Sequence, residues 1–383
     1  MRGIRSPLLE KFLEKKMKKL LTAVVFLLIS TALIAQSNTA TTTQTGDDNN
    51  STVGQTGANT SEVLQDGNTN TANVGQVGTN TAIVDQLNST FNTVTVDQDG
   101  TGNEAYVTQG MVENYYGQTS TDMDANSNLA TVDQDGAGNI IGEFIQVGDN
   151  NIGNFTQNGN GNKGYIYQGW AYGFWGETPI TSALASYNST VDISQVNDNN
   201  DARVWQYGGD NNTTNINQTG LSNTASISQG FIYEDGAYNY TYPVFNTQDN
   251  FVAIDQLGDD NVAKTMQLGD GNQFTLTQNG AGNILGYDPA ATALVDKRNA
   301  YFEQDGDDNI FVGTQNDGAT LKHESFQAGN NNDIDLIQNQ GDVALIQQTG
   351  DLNTANVYQY GVGNDASVFQ TGDNNTANVT QSN

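Results

Sequence analysis

The 383-residue chain has no cysteine, one histidine (His323) and, past its first 36 residues, very little positive charge. Without cysteine there are no disulfides and no metal–thiolate sites. A lone histidine leaves a His-based triad or a multi-His metal centre nothing to draw on. Seven of the thirteen basic residues (Arg2, Arg5, Lys11, Lys15, Lys16, Lys18 and Lys19) lie near the start, and beyond residue 36 six basic residues face 41 acidic ones, a net of −35. A body so charged repels nucleic acid and anionic lipid and stays soluble by self-repulsion, so no nucleic-acid partner is expected. Hydrophobic residues are scarce too, at 36%. Such scarcity ordinarily means disorder. Here the few apolar residues fall at fixed positions, which argues for order.

The one long apolar run spans Leu20 to Ala35, after Met17-Lys18-Lys19 and before Gln36. A basic start, an apolar stretch and a small residue at the exit predict a helical secretory signal over residues 1–36, with Met17 a candidate true start. The run is short for a membrane span. The mature chain is therefore expected outside the cell, over residues 37–383.

That body repeats one phrase twenty-six times between Gln44 and Gln381, approximately Asn-x-Ala-x-Val-x-Gln-x-Gly, at intervals of ten to twelve residues. A fixed period marks a repeat architecture in which each unit buries its face against its neighbours. Asn, Ala, Val and Gln alternate with Thr, Asn, Asp and Ser, the period of a β-strand. Val or Ile two before the Gln (Val53, Val63, Val96, Ile193, Ile254) favours that state. Gly after the Gln, with Asn or Asp nearby, supplies the turn.

Short strands that coil, each unit lying beneath the next but one, predict an all-β, two-sheet parallel β-solenoid. Twenty-six units give about thirteen coils of two strands, a rod roughly 60 Å tall. Asn stands six residues before the Gln in twenty-one units. Buried amides need partners, and stacked columns provide them as ladders. The ladder and core positions singled out are Asn70, Ala72, Val74, Gln76, Asn80, Ala82, Val84 and Gln86, then Asn223, Ala225, Ile227 and Gln229, then Asn353, Ala355, Val357, Gln359, Asn364, Ala366, Val368 and Gln370.

Four intervals between glutamines stretch to 25–27 residues: Gln109 to Gln134, Gln168 to Gln195, Gln229 to Gln256 and Gln278 to Gln304. They predict loops near 110–127, 169–188, 230–249 and 283–298, bulging from turns, the first three from one edge of the rod and the fourth from the opposite edge. Aromatics crowd the first three: Tyr115 and Tyr116; Trp170, Tyr172, Phe174 and Trp175; Tyr238, Tyr240 and Tyr242. Stacked on one edge they are candidates for a strip that contacts glycan or a surface, or they pack on one another. The turns Gly46-Asp47-Asp48-Asn49 and Gly258-Asp259-Asp260-Asn261 resemble oxygen-ligand calcium sites and suggest weak calcium binding at most. His323 occupies an inward position with nothing beside it to suggest catalysis.

The segments Gln76–Gln86 and Gln359–Gln370 each carry Gln-x-Gly followed by Asn-x-Ala-x3-Gln. In this the chain resembles the curlin-repeat family, which includes the major subunit of curli amyloid fibres, in an extended version with long loops. The resemblance implies a secreted, non-enzymatic, cofactor-free protein that polymerises with itself into fibres of the biofilm matrix for adhesion and cohesion. It also implies an outer-membrane export channel and a nucleator as partners. The alternative is a monomeric solenoid adhesin that binds glycan or a surface through its aromatic loops.

Overall fold

The computed structural model describes residues 37–110, 125–169, 185–230, 247–286, 302–321 and 325–382. The signal segment, His323 and all nine aromatic strip residues lie outside the described residues. Within them the chain is all-β, a β-solenoid-like stack in which the strand pairings are parallel.

The strands fall into two interleaved series. Thr39–Thr45 pairs with Thr60–Asn68, placing Gln44 beside Gln65. Asn50–Gly57 pairs with the first half of Thr71–Thr90, placing Gln55 beside Gln76. Odd-numbered units thus stack on odd and even on even to the last pairing, Thr354–Tyr360 with Thr376–Ser382. Thr71–Thr90 and Thr93–Gly110 run unbroken through an arc, so the two series belong to one continuous hydrogen-bonded sheet.

The period of two decides burial. In Thr71–Thr90 the alternate residues Ala72, Val74 and Gln76, and then Asn80, Ala82, Val84 and Gln86, are all buried, and the other residues from Thr71 to Asp85 are not. Each buried Val or Ile contributes about 1.5–3 kcal/mol. The core between the two series is therefore one column of Ala, Val and Ile flanked by amides.

Two aromatic knots interrupt that column. Phe144 and Phe155 replace the usual Val, and Gly153 and Gly164 replace the usual Ala; a Cβ at Gly153 would overlap the Phe144 ring, and one at Gly164 the Phe155 ring. Farther along, Phe274 and Phe311 stack with centroids 4.6 Å apart, and Phe302 lies tilted against both. Gly313 leaves room there, since its Cβ would sit 2.7 Å from the Phe311 ring.

The arcs explain the turn residues. The residue that closes one arc is left-handed on most rungs, with φ of 56° at Asp48, 58° at Asn150 and 57° at Asn374. Asn and Asp tolerate this conformation. Phe91 and Leu352 hold the same position at 60°, where a bulky side chain is strained by about 1–2 kcal/mol.

The loop limits need correcting. Ala125–Asn126, Ser186–Tyr187 and Thr247–Gln248 fall inside the expected loops, yet they form short strands stacked along one arc with Ser89–Thr90, Gly148–Asp149 and Gly209–Asp210. Arc amides have rung partners above and below, so each insertion is cut shorter. The fourth insertion does not leave the opposite edge from a turn. Ile284–Leu285 pairs with Val262–Ala263, the described chain stops after Gly286, and Phe302–Asp305 resumes pairing with Thr265–Leu268. It interrupts an odd-series strand, because burying Leu285 and Phe302 holds both ends of that strand in the stack. Residues 322–324 likewise separate Thr320–Leu321 from Phe326–Ala328 in the odd series. Every even-series strand is unbroken.

Candidate assembly surfaces

The glutamines form two hydrogen-bonded ladders. In the odd series each Nε2 donates to Oε1 of the next glutamine, from Gln44 to Gln65 at 2.7 Å through to Gln348 and Gln370 at 2.9 Å. The even series runs the same way, from Gln55 to Gln76 at 2.8 Å through to Gln359 and Gln381 at 2.8 Å. The second Nε2 proton crosses the core to a carbonyl of the other series: Gln76 to Thr60 O at 3.2 Å, Gln218 to Asp201 O at 3.1 Å and Gln359 to Val343 O at 3.1 Å. One amide thus satisfies both a neighbour above and a strand opposite.

The asparagines work differently. On most rungs Oδ1 accepts the main-chain N–H of the asparagine one rung on: Asn59 to Asn38 at 2.9 Å, Asn80 to Asn59 at 2.8 Å, Asn353 to Asn332 at 3.1 Å and Asn375 to Asn353 at 3.0 Å. Nδ2 goes mostly to turn carbonyls, as from Asn128 to Gly148 O and Asn223 to Gly258 O. One methylene shorter than glutamine, the side chain stays close to the backbone and reaches the next peptide before the next amide. Donors in these columns point opposite to those of the glutamine ladders. Turn aspartates add a third string, with Asp270 N–H on Asp307 Oδ1 at 2.9 Å and Asp351 N–H on Asp373 Oδ1 at 3.0 Å.

The two ends of the stack are complementary. Among the described residues nothing donates to Gln44 Oε1 or Gln55 Oε1. At the far end Gln370 Nε2 and Gln381 Nε2 make only their cross-core bonds, to Thr354 O and Asp365 O at 2.9 Å. Thr39–Thr45 is exposed throughout, and Thr376–Ser382 is nowhere fully buried. The first turn, Gly46-Asp47-Asp48-Asn49, closely matches the last, Gly372-Asp373-Asn374-Asn375.

Of the positions singled out from the sequence, those in Asn70–Gln86, Asn223–Gln229 and Asn353–Gln359 are buried and belong to these columns. In the last group Ala366, Val368 and Gln370 are buried, whereas Asn364 is half-buried and its Nδ2 has no partner. In the second calcium-like turn, Asp259 Oδ1 is occupied by the Leu221 N–H at 2.8 Å. Among the described residues no three acidic or histidine side chains gather as metal ligands.

The outward faces of the two series differ, and sequence reasoning missed this. The odd face carries Lys163, Arg203 and Lys264. Arg203 lies 5.3 Å over the Tyr165 ring and pairs with Asp201 at 2.7 Å. Burial, and then Arg203, lowers the Lys264 pKa, with Asp201 opposing. Its apolar residues Ile145, Tyr167, Trp205, Tyr207, Met266 and Leu268 are buried although they point outward, and Tyr167 stacks on Trp205 at 6.2 Å.

The even face has no basic residue and eight aspartates. Asp97 lies beside Asp133 and Asp99 beside Asp135. Burial, then Asp97 and Asp135, raises the Asp133 pKa. Burial and Asp335 raise that of Asp333. Asp335 accepts the Tyr358 hydroxyl at 2.6 Å, a bond that, ahead of other causes, pushes the tyrosine up to about 12. Of the fourteen exposed large apolar side chains among the described residues, eight lie on this face (Val77, Leu129, Ile152, Val196, Leu257, Ile310, Val312 and Tyr360) and one, Phe369, on the odd face.

A parallel stack stitched by amide ladders defines a structural repeat protein. The family model of the curlin associated repeat matches residues 92–113, 188–220, 247–280 and 350–382, each stretch holding two or three ladder glutamines. Over these four stretches the chain matches the curlin associated repeat. No curated protein matches it.

Proposed function

We infer that the chain is a secreted structural subunit that stacks end to end into curli-like amyloid fibres of the extracellular biofilm matrix, serving adhesion and cohesion. Thirteen coils then form one building block, delivered by an outer-membrane export channel and started by a nucleator. The observation that carries this reading is the pairing of unused groups at the two ends. One end offers glutamine acceptors; the other offers glutamine donors, with Asn364 and Asn375 Oδ1 open to a main-chain N–H. A second copy set on the Thr376–Ser382 rung continues both glutamine ladders without changing series, because the odd strand Thr39–Thr45 follows an even one. An exposed strand edge of this kind is a template for another chain.

Electron microscopy of residues 37–383 over time should show filaments with a 4.7–4.8 Å cross-β reflection. The pair Gln370→Glu and Gln381→Glu replaces both donors by acceptors facing acceptors. This chain should fold with an unchanged far-ultraviolet spectrum, yet slow elongation by at least about tenfold and cap wild-type filaments at substoichiometric ratio. Elongation at the wild-type rate would refute ladder continuation.

A further inference from the structure

We propose that the outward face of the even series is a docking surface for a second copy of this chain, laid face to face, and that its aspartates hold the two apart until they are protonated. This surface runs along the stack, at right angles to the end-to-end contact, so the inference goes beyond the fibre reading. Three independent observations carry it.

The first is shape. No even-series strand is interrupted, so thirteen consecutive even strands present a regular face. It is about 60 Å long and about 20 Å wide, roughly 1,200 Å² per partner, above the roughly 800 Å² per partner of a standard stable interface.

The second is composition. Exposed large apolar residues concentrate on this face and are nearly missing from the odd one, where outward apolar side chains are buried. Leu129 and Ile152 are register partners on adjacent rungs, and Ile310 and Val312 alternate along one strand, so parts of the patch are continuous. Exposed apolar clusters of this kind mark interaction sites.

The third is charge. Eight aspartates and no cation oppose an identical face with like charge, so a like partner is excluded while they are ionised. Asp192 is bonded by Asn154 at 2.5 Å, Asp255 by Asn217 at 2.7 Å and Asp335 by Tyr358. The square formed by Asp97, Asp99, Asp133 and Asp135 has the uncharged Gly75, Val77, Thr156 and Asn158 as its register partners on the rungs either side. Those four carboxylates are the gate. Protonation leaves hydroxyl donors and acceptors on both faces, and the apolar rungs then meet as sheets pack, about 10 Å apart.

The test reads filament width and mass per length by electron microscopy at pH 7 and pH 4. Wild type should be single at pH 7 and paired, with doubled mass per length, at pH 4, close to the ordinary aspartate pKa of about 3.9. The variant with Asp97, Asp99, Asp133 and Asp135 all changed to Asn should pair at pH 7. Leu257→Asp with Val312→Asp should stay single above pH 5. Wild-type filaments that remain single at pH 4, or a quadruple variant that remains single throughout, would overturn the docking face but leave the fibre standing. Should no filament form, the end-to-end reading fails, and sedimentation of the soluble chain reads the face instead: an acid-induced dimer supports it and a persistent monomer removes it.

Discussion

Gln195→Glu is expected to cost about 4 kcal/mol or more of stability at pH 7, the largest single loss in the stack. Gln195 accepts from Gln157 at 2.8 Å, donates to Gln218 at 2.8 Å and donates across the core to Lys163 O at 3.0 Å. A carboxylate keeps the first bond and turns the other two into acceptor-on-acceptor contacts. It also places a charge where nothing pairs it, since Gln195 is fully buried. Burial raises the folded-state pKa of the new acid above its unfolded value of about 4.3. The penalty therefore grows as pH rises above about 4 and is complete above the raised folded pKa. Thermal unfolding should find the variant close to wild type at pH 4 and strongly destabilised at pH 7. A loss independent of pH would mean that shape, not the amide, matters at this position.

Gly164→Ala comes next, at about 2–4 kcal/mol, because the new methyl overlaps the Phe155 ring across the core. Phe155 is 1% exposed and has no room to retreat. Adding Phe155→Val to Gly164→Ala restores the Ala and Val found at these positions in other units. Denaturant titration should show the double variant recovering most of the loss. Two additive losses would show that the ring and the glycine are not partners.

How much of this was legible in the sequence depends on whether the chemistry was local. The strand period, the inward Val and Gln and the parallel all-β stack follow from spacing alone, because an alternation has one inward phase. Asn and Gln look alike in the sequence and behave differently in the stack, since a single methylene sets whether an amide reaches its counterpart or the next peptide. The fourth insertion was misplaced because Asn283, Ile284 and Leu285 resemble the end of a turn until Leu285 is found paired with Ala263. The contrast between the faces was invisible because it depends on which units stack. Val196 and Leu257 are 61 residues apart in sequence, and only the even-to-even pairing through Thr219 brings them onto one line.

That alternation also limits how such a chain lengthens or shortens. Losing a single unit would shift every downstream strand to the opposite wall, carrying aspartates onto the face of Tyr167 and Trp205 and aromatic residues onto the acidic face. Losing two adjacent units removes a full turn and leaves the rest where it was. Gene duplications in such a protein should therefore survive in steps of about 22 residues, and odd-step variants should be purged even when each repeat is individually sound.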